Sequence, residues 1–205
     1  MKIFDVSMAI HENMTVYKNR ESKRPSVKRV RNFEEDGINE SEITMNLHTG
    51  THIDAPLHVF KNGTAIESID IQRLITKCRV LDMTGLEKIT ESDLRKKEIE
   101  KGSFVLLKTD NSYTDNFGDG FVFLEKSGAE YLAGLNVKGV GIDALGIERD
   151  QEGHPTHNAV IGSGAIIIEG LRLKEIEEGD YMMYALPLNI LNADGAPARV
   201  VLIKS

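Results

Sequence analysis

One short segment of the sequence concentrates side chains that bind metal ions and transfer protons. Residues 48–58 read HTGTHIDAPLH and contain three histidines and one aspartate: His48, His52, Asp54 and His58. Imidazole nitrogens and carboxylate oxygens are common ligands of zinc and related divalent ions. All four residues occupy even positions, so an extended chain directs them to one side. The segment therefore predicts a metal site.

The spacing of the histidines requires the chain to bend. At about 3.3 Å per residue, His48 and His52 of an extended strand lie roughly 13 Å apart, too far to share one ion through bonds of about 2.1 Å. Gly50 is where the backbone can turn, and Pro56 favours a second turn that returns His58 toward the other histidines. The alternative is a row of polar residues on a solvated strand. One histidine would favour that alternative, but four potential ligands around a glycine favour the metal site.

A second group of candidates, His154, His157 and Glu169, lies in the C-terminal part of the chain. Glu169 directly follows the most apolar stretch of the sequence, 165–168. Burying a carboxylate there without a partner is unfavourable, and a metal ion or a hydrogen-bond donor would remove that penalty. Taken alone, Glu169 could equally emerge into solvent at the strand end. We expect the other acids of this region to be loop and surface charges: Asp143, Glu148 and Asp150.

Composition restricts the class of protein. The 205 residues, 40% apolar and 28% charged, fit one globular domain, 1–205, and argue against disorder. The net charge of −7 argues against a nucleic-acid partner, and the basic stretch 23–31 is expected to be a solvated strand or loop. No apolar run approaches the roughly 20 residues of a membrane span, so we expect no membrane partner. The single cysteine, Cys78, is expected to be buried and indicates a reducing, cytoplasmic location.

Hydrophobic patterning predicts strands interleaved with helices. Alternating or continuous apolar residues predict strands at five places: 4–10, 43–47, 104–107, 140–142 and 165–168. Thr90 and Asp93 have the spacing of a capping box ahead of a helix over 94–100, and 124–135 has helical periodicity. This alternation indicates an α/β fold.

The segment 48–58 carries a resemblance to a known family. It is similar to the HxGTHxDxPxH signature of the cyclase-like metal-dependent hydrolases, whose best-known members are bacterial kynurenine formamidases (arylformamidases). Shorter similarities follow in the family's order along nearly the whole chain: 5–7, 107–109, 141–143, His157, 169–171, 185–188 and 195–199. The signature is highly specific, whereas each shorter piece is weak by itself.

The resemblance implies a site for two divalent ions. The implied ligands are five residues: His48, His52, Asp54, His157 and Glu169. The signature ligands would hold one ion and His157 the other, Asp54 and Glu169 would bridge them, and His58 would be the acid/base. The implied fold is a swivelling β/β/α arrangement with a partly open mixed β-barrel and flanking helices, assembled as a homodimer or larger homo-oligomer.

The resemblance also indicates a substrate-binding residue. Tyr17 corresponds to the aromatic residue that helps line the pocket of the formamidases. There the formamidases continue Pro-Gly-Asp, whereas this chain continues Lys18-Asn19-Arg20. The departure leaves the metal ligands untouched but leaves the substrate open.

Three functions fit these observations. The first is hydrolysis of a small amide, with an aryl formamide such as N-formylkynurenine as the specific expectation, because bound ions polarise a carbonyl and lower the pKa of water to about 7. The second is hydrolysis of a cyclic amide, a lactam or another small acyl compound. The third is a non-catalytic metal-binding protein, disfavoured because a closed structural site needs no additional histidine. Histidine-rich ligation favours zinc, with manganese next.

Overall fold

The computed structural model describes residues 1–114 and 120–204. It contains twelve strands: β1 (Lys2–Asp5), β2 (Ser26–Arg31), β3 (Glu40–Thr44), β4 (His52–Asp54), β5 (Ile75–Asp82), β6 (Lys88–Ile89), β7 (Phe104–Lys108), β8 (Phe123–Leu124), β9 (Gly139–Ile142), β10 (Ile166–Glu169), β11 (Gly179–Pro187) and β12 (Gly195–Lys204). It contains four α-helices: α1 (Phe33–Asp36), α2 (Glu91–Leu94), α3 (Lys126–Gly134) and α4 (Pro155–Gly162). These counts refer to the described ranges.

Seven of the strands form a closed mixed β-barrel. Strands β5, β7, β9 and β10 are parallel neighbours, and antiparallel β4, β12 and β11 complete the ring back to β5. The expected α/β class with a mixed barrel and flanking helices is confirmed. The barrel is closed rather than partly open because the long strand β12 pairs with β11 and, through Gly195–Pro197, also with β4.

The parallel strands β7, β9 and β10 are mostly apolar because both of their faces are covered, and they are buried along their whole length. Val105 and Leu107 of β7 pack in a cluster that also contains Leu132 of α3 and Val160 of α4. The intervening Leu106 belongs to a second cluster with residues of β5, β11 and β12. Strand alternation thus separates a core beneath the helices from a core inside the barrel.

The predicted buried strands are confirmed as β7, β9 and β10, and the helix expected over 124–135 is confirmed as α3. The capping box of Thr90 and Asp93 is present, but α2 ends at Leu94 instead of continuing toward residue 100. Beyond Leu94 the backbone N–H groups of Lys96 and Lys97 bond three residues back, so the chain tightens into a turn.

The strand expected over 4–10 is shorter than predicted. β1 ends at Asp5, and the chain then leaves the ladder: Ser7 makes a single bridge to Leu171, and the N–H of Met8 donates to Thr51 Oγ1 at 2.8 Å. The alternating pattern beyond Asp5 therefore reflects the burial of Val6 in the core and the contact of Met8 with the predicted metal segment, and not a continuing strand.

The basic stretch 23–31 lies outside the barrel. Its strand β2 pairs with β3 in a separate two-stranded hairpin whose residues are mostly exposed, which confirms the expected solvated strand. Because β3 ends at Thr44, the run predicted over 43–47 continues as a loop into the predicted metal segment. Within residues 1–114 and 120–204, no helix is both long and apolar enough to cross a bilayer.

Candidate metal centre

Gly50 makes the bend that the histidine spacing requires. Its φ of +73° lies in the left-handed region that glycine adopts readily. Gly170, the residue after β10, has a φ of +69°, and a Cβ there would lie 2.3 Å from the Gly50 carbonyl oxygen. Thr51 Oγ1 donates to the Gly170 carbonyl at 2.5 Å. Two glycines therefore let the turn before β4 lie directly against the end of β10.

This contact brings His52, Asp54 and Glu169 together. Glu169 is the direct cross-strand partner of His52 in the β10–β4 ladder, so both side chains lie on one face. His52 Nε2 lies 3.4 Å from Asp54 Oδ1 and 3.3 Å from Glu169 Oε2. The three residues are 1%, 2% and 5% exposed. The sheet register thus converts a signature segment and a distant glutamate into one buried cluster.

The buried cluster contains the donor atoms that a divalent cation requires. His52 Nδ1 donates to the Gly50 carbonyl at 2.9 Å, which leaves Nε2 as the nitrogen with a free lone pair in the neutral ring. His52 Nε2 and Asp54 Oδ2 are both buried without a hydrogen-bond partner among the described residues. Buried polar atoms are rarely left unpaired in native proteins. A nitrogen lone pair beside carboxylate oxygens is a donor set that suits a divalent transition metal.

His157 approaches the same carboxylates from α4. Its Nδ1 donates to Glu148 Oε1 at 2.7 Å, and its Nε2 lies 3.6 Å from Asp54 Oδ2 and 3.5 Å from Glu169 Oε1. A histidine held at one nitrogen by a carboxylate, with the other nitrogen directed into the site, is the usual arrangement around protein metal ions. Asp54 and Glu169 therefore each present one oxygen to His52 and the other to His157.

The carboxylates change the protonation of the histidines. Burial acts to lower the pKa of His52, but hydrogen bonding and charge interaction with Asp54 and Glu169 raise it to about 10. Burial also acts to lower the pKa of His157. Hydrogen bonds with Asp54, Glu148 and Glu169 outweigh burial and raise this pKa well above its usual value. In the absence of metal, protons on the imidazoles supply the positive charge that these carboxylates require.

His48 lies at the edge of the cluster and contacts two carboxylates. Its Nδ1 is 2.8 Å from Asp54 Oδ1, and its Nε2 is 2.9 Å from Asp194 Oδ2. The same Asp194 oxygen lies 3.5 Å from Nδ1 of His58. Asp194 immediately precedes β12, whose pairing with β4 brings it to the site. Asp194 was not predicted from the sequence, although it lies just before the similar segment 195–199.

His58 differs from the other site histidines in position and protonation. The turn Pro56–His58 returns it as expected, so that its ring centroid lies 4.0 Å from that of His48. Burial lowers the pKa of His58; the charge of Asp54 opposes this, and His48 adds to it. His58 is thus neutral near pH 7 and able to accept a proton.

Two of the acids expected on the surface are buried. Glu148 is 5% exposed and accepts hydrogen bonds from His157, His154 and the Thr156 N–H. Asp143 is fully buried and accepts from the Thr109 backbone and hydroxyl groups. Both predictions were wrong because the chain after β9 packs against the residues that follow β7 and against α4, contacts that the sequence pattern does not show. Only Asp150 is exposed as expected.

An open cavity of about 320 Å³ leads to these residues. Its lining includes five of the seven predicted site residues: Tyr17, His48, His58, His157 and Glu169. His52 and Asp54 are buried and do not line the cavity. The Tyr17 ring packs edge-on against Phe121, with 6.0 Å between centroids, and a Cβ at Gly146 would lie 3.0 Å from the Tyr17 ring. His154 also lines the cavity through its contact with Glu148.

Comparison with known proteins places the chain in a family. The profile of the family described as putative cyclase matches residues 4–149. The chain belongs to this family. It is 34% identical over 172 residues to the kynurenine formamidase of Bacillus thuringiensis subsp. konkukian, which covers 82% of each protein. The family resemblance expected from the signature is confirmed.

Solved structures agree with this membership. A predicted metal-dependent hydrolase from Bacillus stearothermophilus is 48% identical, with a TM-score of 0.90 and coverage of 98% of this chain and 97% of that one. Isatin hydrolase A from Labrenzia aggregata, at 22% identity, shares the fold with a TM-score of 0.86 and coverage of 98% and 93%. The expectation of a hydrolase of the metal-dependent, cyclase-like class is confirmed; the residue roles remain predictions.

Proposed function

We propose that the protein hydrolyses a small aryl formamide, with N-formylkynurenine as the leading substrate, at a centre for two divalent ions. Relatives named kynurenine formamidase, about one-third identical over four-fifths of the chain, support the reaction. The proposed metal ligands are the five predicted residues: His48, His52, Asp54, His157 and Glu169. The proposal treats residues 1–205 as one domain.

The observation that supports the proposal most is that Asp54 and Glu169 each lie close to two histidines. Each carboxylate presents one oxygen to His52 and the other to His157. A carboxylate with both oxygens directed to different histidines is suited to join two cations. When bound, such ions supply Lewis acidity toward a carbonyl oxygen and lower the pKa of water at neutral pH.

The chain's own residues supply proton transfer and substrate placement. Neutral His58 takes a proton from the attacking water and returns it to the departing nitrogen. Asp194 Oδ2, within 3.5 Å of His58 Nδ1, orients the imidazole and favours the charged ring that forms during transfer. Tyr17 places an aromatic group of the substrate at the mouth of the cavity. A cavity of about 320 Å³ fits a small molecule.

The proposal also covers the identity of the metal, the oligomeric state and the location of the protein. Zinc is the proposed native metal and manganese the next, because imidazole-rich ligation suits transition metals better than magnesium or calcium. A homodimer or larger homo-oligomer follows the family resemblance. A cytoplasmic location is proposed from the single cysteine, Cys78, which is buried and 3% exposed.

The sequence after Tyr17 differs from that of the formamidases, and this difference supports a second substrate class. The residues after Tyr17 are Lys18-Asn19-Arg20 and not the Pro-Gly-Asp of the formamidases. A cyclic amide, a lactam or another small acyl compound would use the same proton transfer by His58 and the same carbonyl activation. The departure changes the pocket mouth without changing the candidate metal ligands.

A small substrate panel tests the proposal. Metal-loaded protein should release formate from N-formylkynurenine and from formanilide, and chelation followed by zinc addition should abolish and restore the rate. Ring opening of a lactam without formate release would replace the formamide with the cyclic class. A fully metal-loaded protein that turns over neither compound would overturn the proposal and favour a metal-binding role.

A further inference from the structure

Two lysines that line the cavity lie close to the same aromatic ring, that of Tyr17. The Nζ atoms of Lys18 and Lys23 each lie 5.6 Å from the centroid of the Tyr17 ring. Both lysines line the same cavity as His58 and Glu169. An ammonium group and an aromatic face therefore lie together at the entrance to the candidate metal centre.

Among the described residues, each charged group that lines the cavity has a neighbour of opposite charge or a histidine partner, with one exception. Glu169 faces the two buried histidines, and Glu148 accepts hydrogen bonds from His154 and His157. Asp150, the remaining acid of the lining, lies 3.5 Å from Lys18 Nζ. No carboxylate within residues 1–114 and 120–204 forms an ion pair with Lys23. Lys23 is thus the uncompensated cation of the cavity.

The position of Lys23 is tied to the predicted metal segment. Its carbonyl oxygen accepts a hydrogen bond of 2.8 Å from Thr49 Oγ1, and Thr49 is 2% exposed between His48 and Gly50. The next residue, Arg24, donates to the Met14 carbonyl at 3.0 Å. These bonds hold the Lys23 backbone at a defined distance from the candidate metal centre, although its side chain reaches the cavity from a surface turn.

The backbone around Lys18 is also unusual. Lys18 and Asn19 have φ values of +52° and +48°, in the left-handed region that side-chain-bearing residues rarely adopt. Arg24 Nη2 donates to Asn19 Oδ1 at 2.6 Å, which helps to hold this turn. Backbone strain of this kind persists where the surroundings enforce it, and it concentrates at ligand sites. Here the turn keeps Lys18 Nζ 5.6 Å from the Tyr17 ring centroid.

We propose that Lys23, assisted by Lys18, binds a carboxylate on the substrate, so that the preferred substrates are aromatic amides that carry an anionic group. This inference rests on the proposed function and narrows its substrate class. Lys23 is a partly buried residue, and an ammonium without an anionic neighbour gains from an anion that enters with the ligand. The Tyr17 ring, with both lysine Nζ atoms 5.6 Å from its centroid, contacts the aromatic part of that ligand, while the amide reaches His58.

Two formamides that differ only in the carboxylate test the preference. Wild-type protein should process N-formylanthranilate with a higher kcat/KM than formanilide. Lys23→Met should lower the ratio of the two kcat/KM values roughly tenfold or more, mainly through KM, because a charge-assisted contact is lost. Lys23→Arg should retain most of the ratio. Lys61→Met, which removes an exposed lysine outside the cavity, is the matched control and should retain it fully.

A binding measurement separates this inference from the proposed reaction. Anthranilate is fluorescent, so its binding can be titrated without turnover, with aniline as the uncharged comparison and formate as an anion that lacks the ring. Lys23→Met should weaken anthranilate binding roughly tenfold and leave the weaker binding of aniline, which has no carboxylate, unaltered. If neither formamide is cleaved but this pattern holds, the proposed reaction fails and the carboxylate subsite stands.

Three results would overturn the carboxylate subsite. The first is a wild-type preference for formanilide over N-formylanthranilate. The second is an equal effect of Lys23→Met and Lys61→Met on anthranilate binding. The third is displacement of anthranilate by phenyl phosphate at far lower concentration than by benzoate, which would assign the lysines to a phosphate group.

Discussion

Glu148 Oε1 accepts a hydrogen bond of 2.7 Å from Nδ1 of His157, and this bond directs the other ring nitrogen toward Asp54 and Glu169. The interaction is buried, with Glu148 5% and His157 7% exposed. It decides which nitrogen of His157 is available as a ligand. The second half of the candidate metal centre therefore depends on a residue outside both histidine clusters of the sequence.

Removing the Glu148 carboxylate should weaken binding of the second ion. Glu148→Ala frees His157 to rotate and to change tautomer, so the affinity for one ion should fall roughly 10- to 100-fold while the other ion is retained. Glu148→Gln keeps an acceptor and should have a smaller effect. Competition with a chromophoric chelator gives both affinities. Glu152→Ala, an exposed acid nearby, is the control; equal loss in both alanine variants would remove Glu148 from the site.

His58 and His52 should separate proton transfer from metal binding. His58→Ala should keep the metal content while the rate falls about 10²–10⁴-fold, the usual contribution of a general acid/base. His52→Ala should lose metal and activity together, because its Nε2 faces both shared carboxylates. Elemental analysis beside activity measures both quantities. If His58→Ala loses its ions as readily as His52→Ala, then His58 is a ligand and another residue transfers the proton.

Metal binding should release protons from the buried histidines. Because the pKa of His52 is raised to about 10, metal-free protein carries a proton on His52 at pH 8, and the raised pKa of His157 favours its protonated form too. Ions that take these nitrogens displace up to about two protons per chain, and affinity should rise with pH. Calorimetric titration of metal in buffers of different ionisation enthalpy measures the number of protons released. Proton release near zero would show that neither nitrogen becomes a ligand.

The same shift predicts a pH dependence of stability in the metal-free protein. A histidine whose folded pKa is raised stabilises the fold fully below its unfolded value, near 6.5, and loses that contribution as pH rises toward about 10. Metal-free protein should therefore become less stable across this range. Metal-loaded protein should not follow it, because the ions replace the protons. Unfolding midpoints measured with and without metal between pH 6.5 and 10 compare the two forms.

Asp143 should produce a separate pH dependence at acidic pH. Burial raises its pKa to about 6, although hydrogen bonds from Thr109 and Ser112 act in the opposite direction. Since the folded pKa exceeds the unfolded value of 3.8, the contribution is complete below about pH 4 and is lost as pH rises to about 6, a change of about 3 kcal/mol. Denaturant unfolding of Asp143→Asn should lack this loss. Glu175→Gln, at an exposed acid, is the control; identical profiles in Asp143→Asn and wild type would contradict the assignment.

The ligand types and the local turns of this protein could be predicted from the sequence. The segment 48–58 places its histidines and aspartate at spacings that only a bend can reconcile, and Gly50 at φ +73° makes that bend. The turn at Pro56 returns His58 in the same way. These features depend on a few neighbouring residues whose backbone preferences are intrinsic to glycine and proline. The buried strands could also be predicted from local sequence, because continuous apolar runs indicate strands with two covered faces.

Tertiary structure alone decided which distant side chains meet. Glu169 lies opposite His52 because β10 and β4 pair in one register, and a shift of one residue would turn it to the other face. Asp194 reaches His48 because β12 also pairs with β4 and closes the barrel. Glu148 is buried because the loop after β9 folds back toward α4. Each contact arises from strand pairing or loop packing between residues far apart in the chain, and the free energy that selects these contacts belongs to the assembled core rather than to any local pattern.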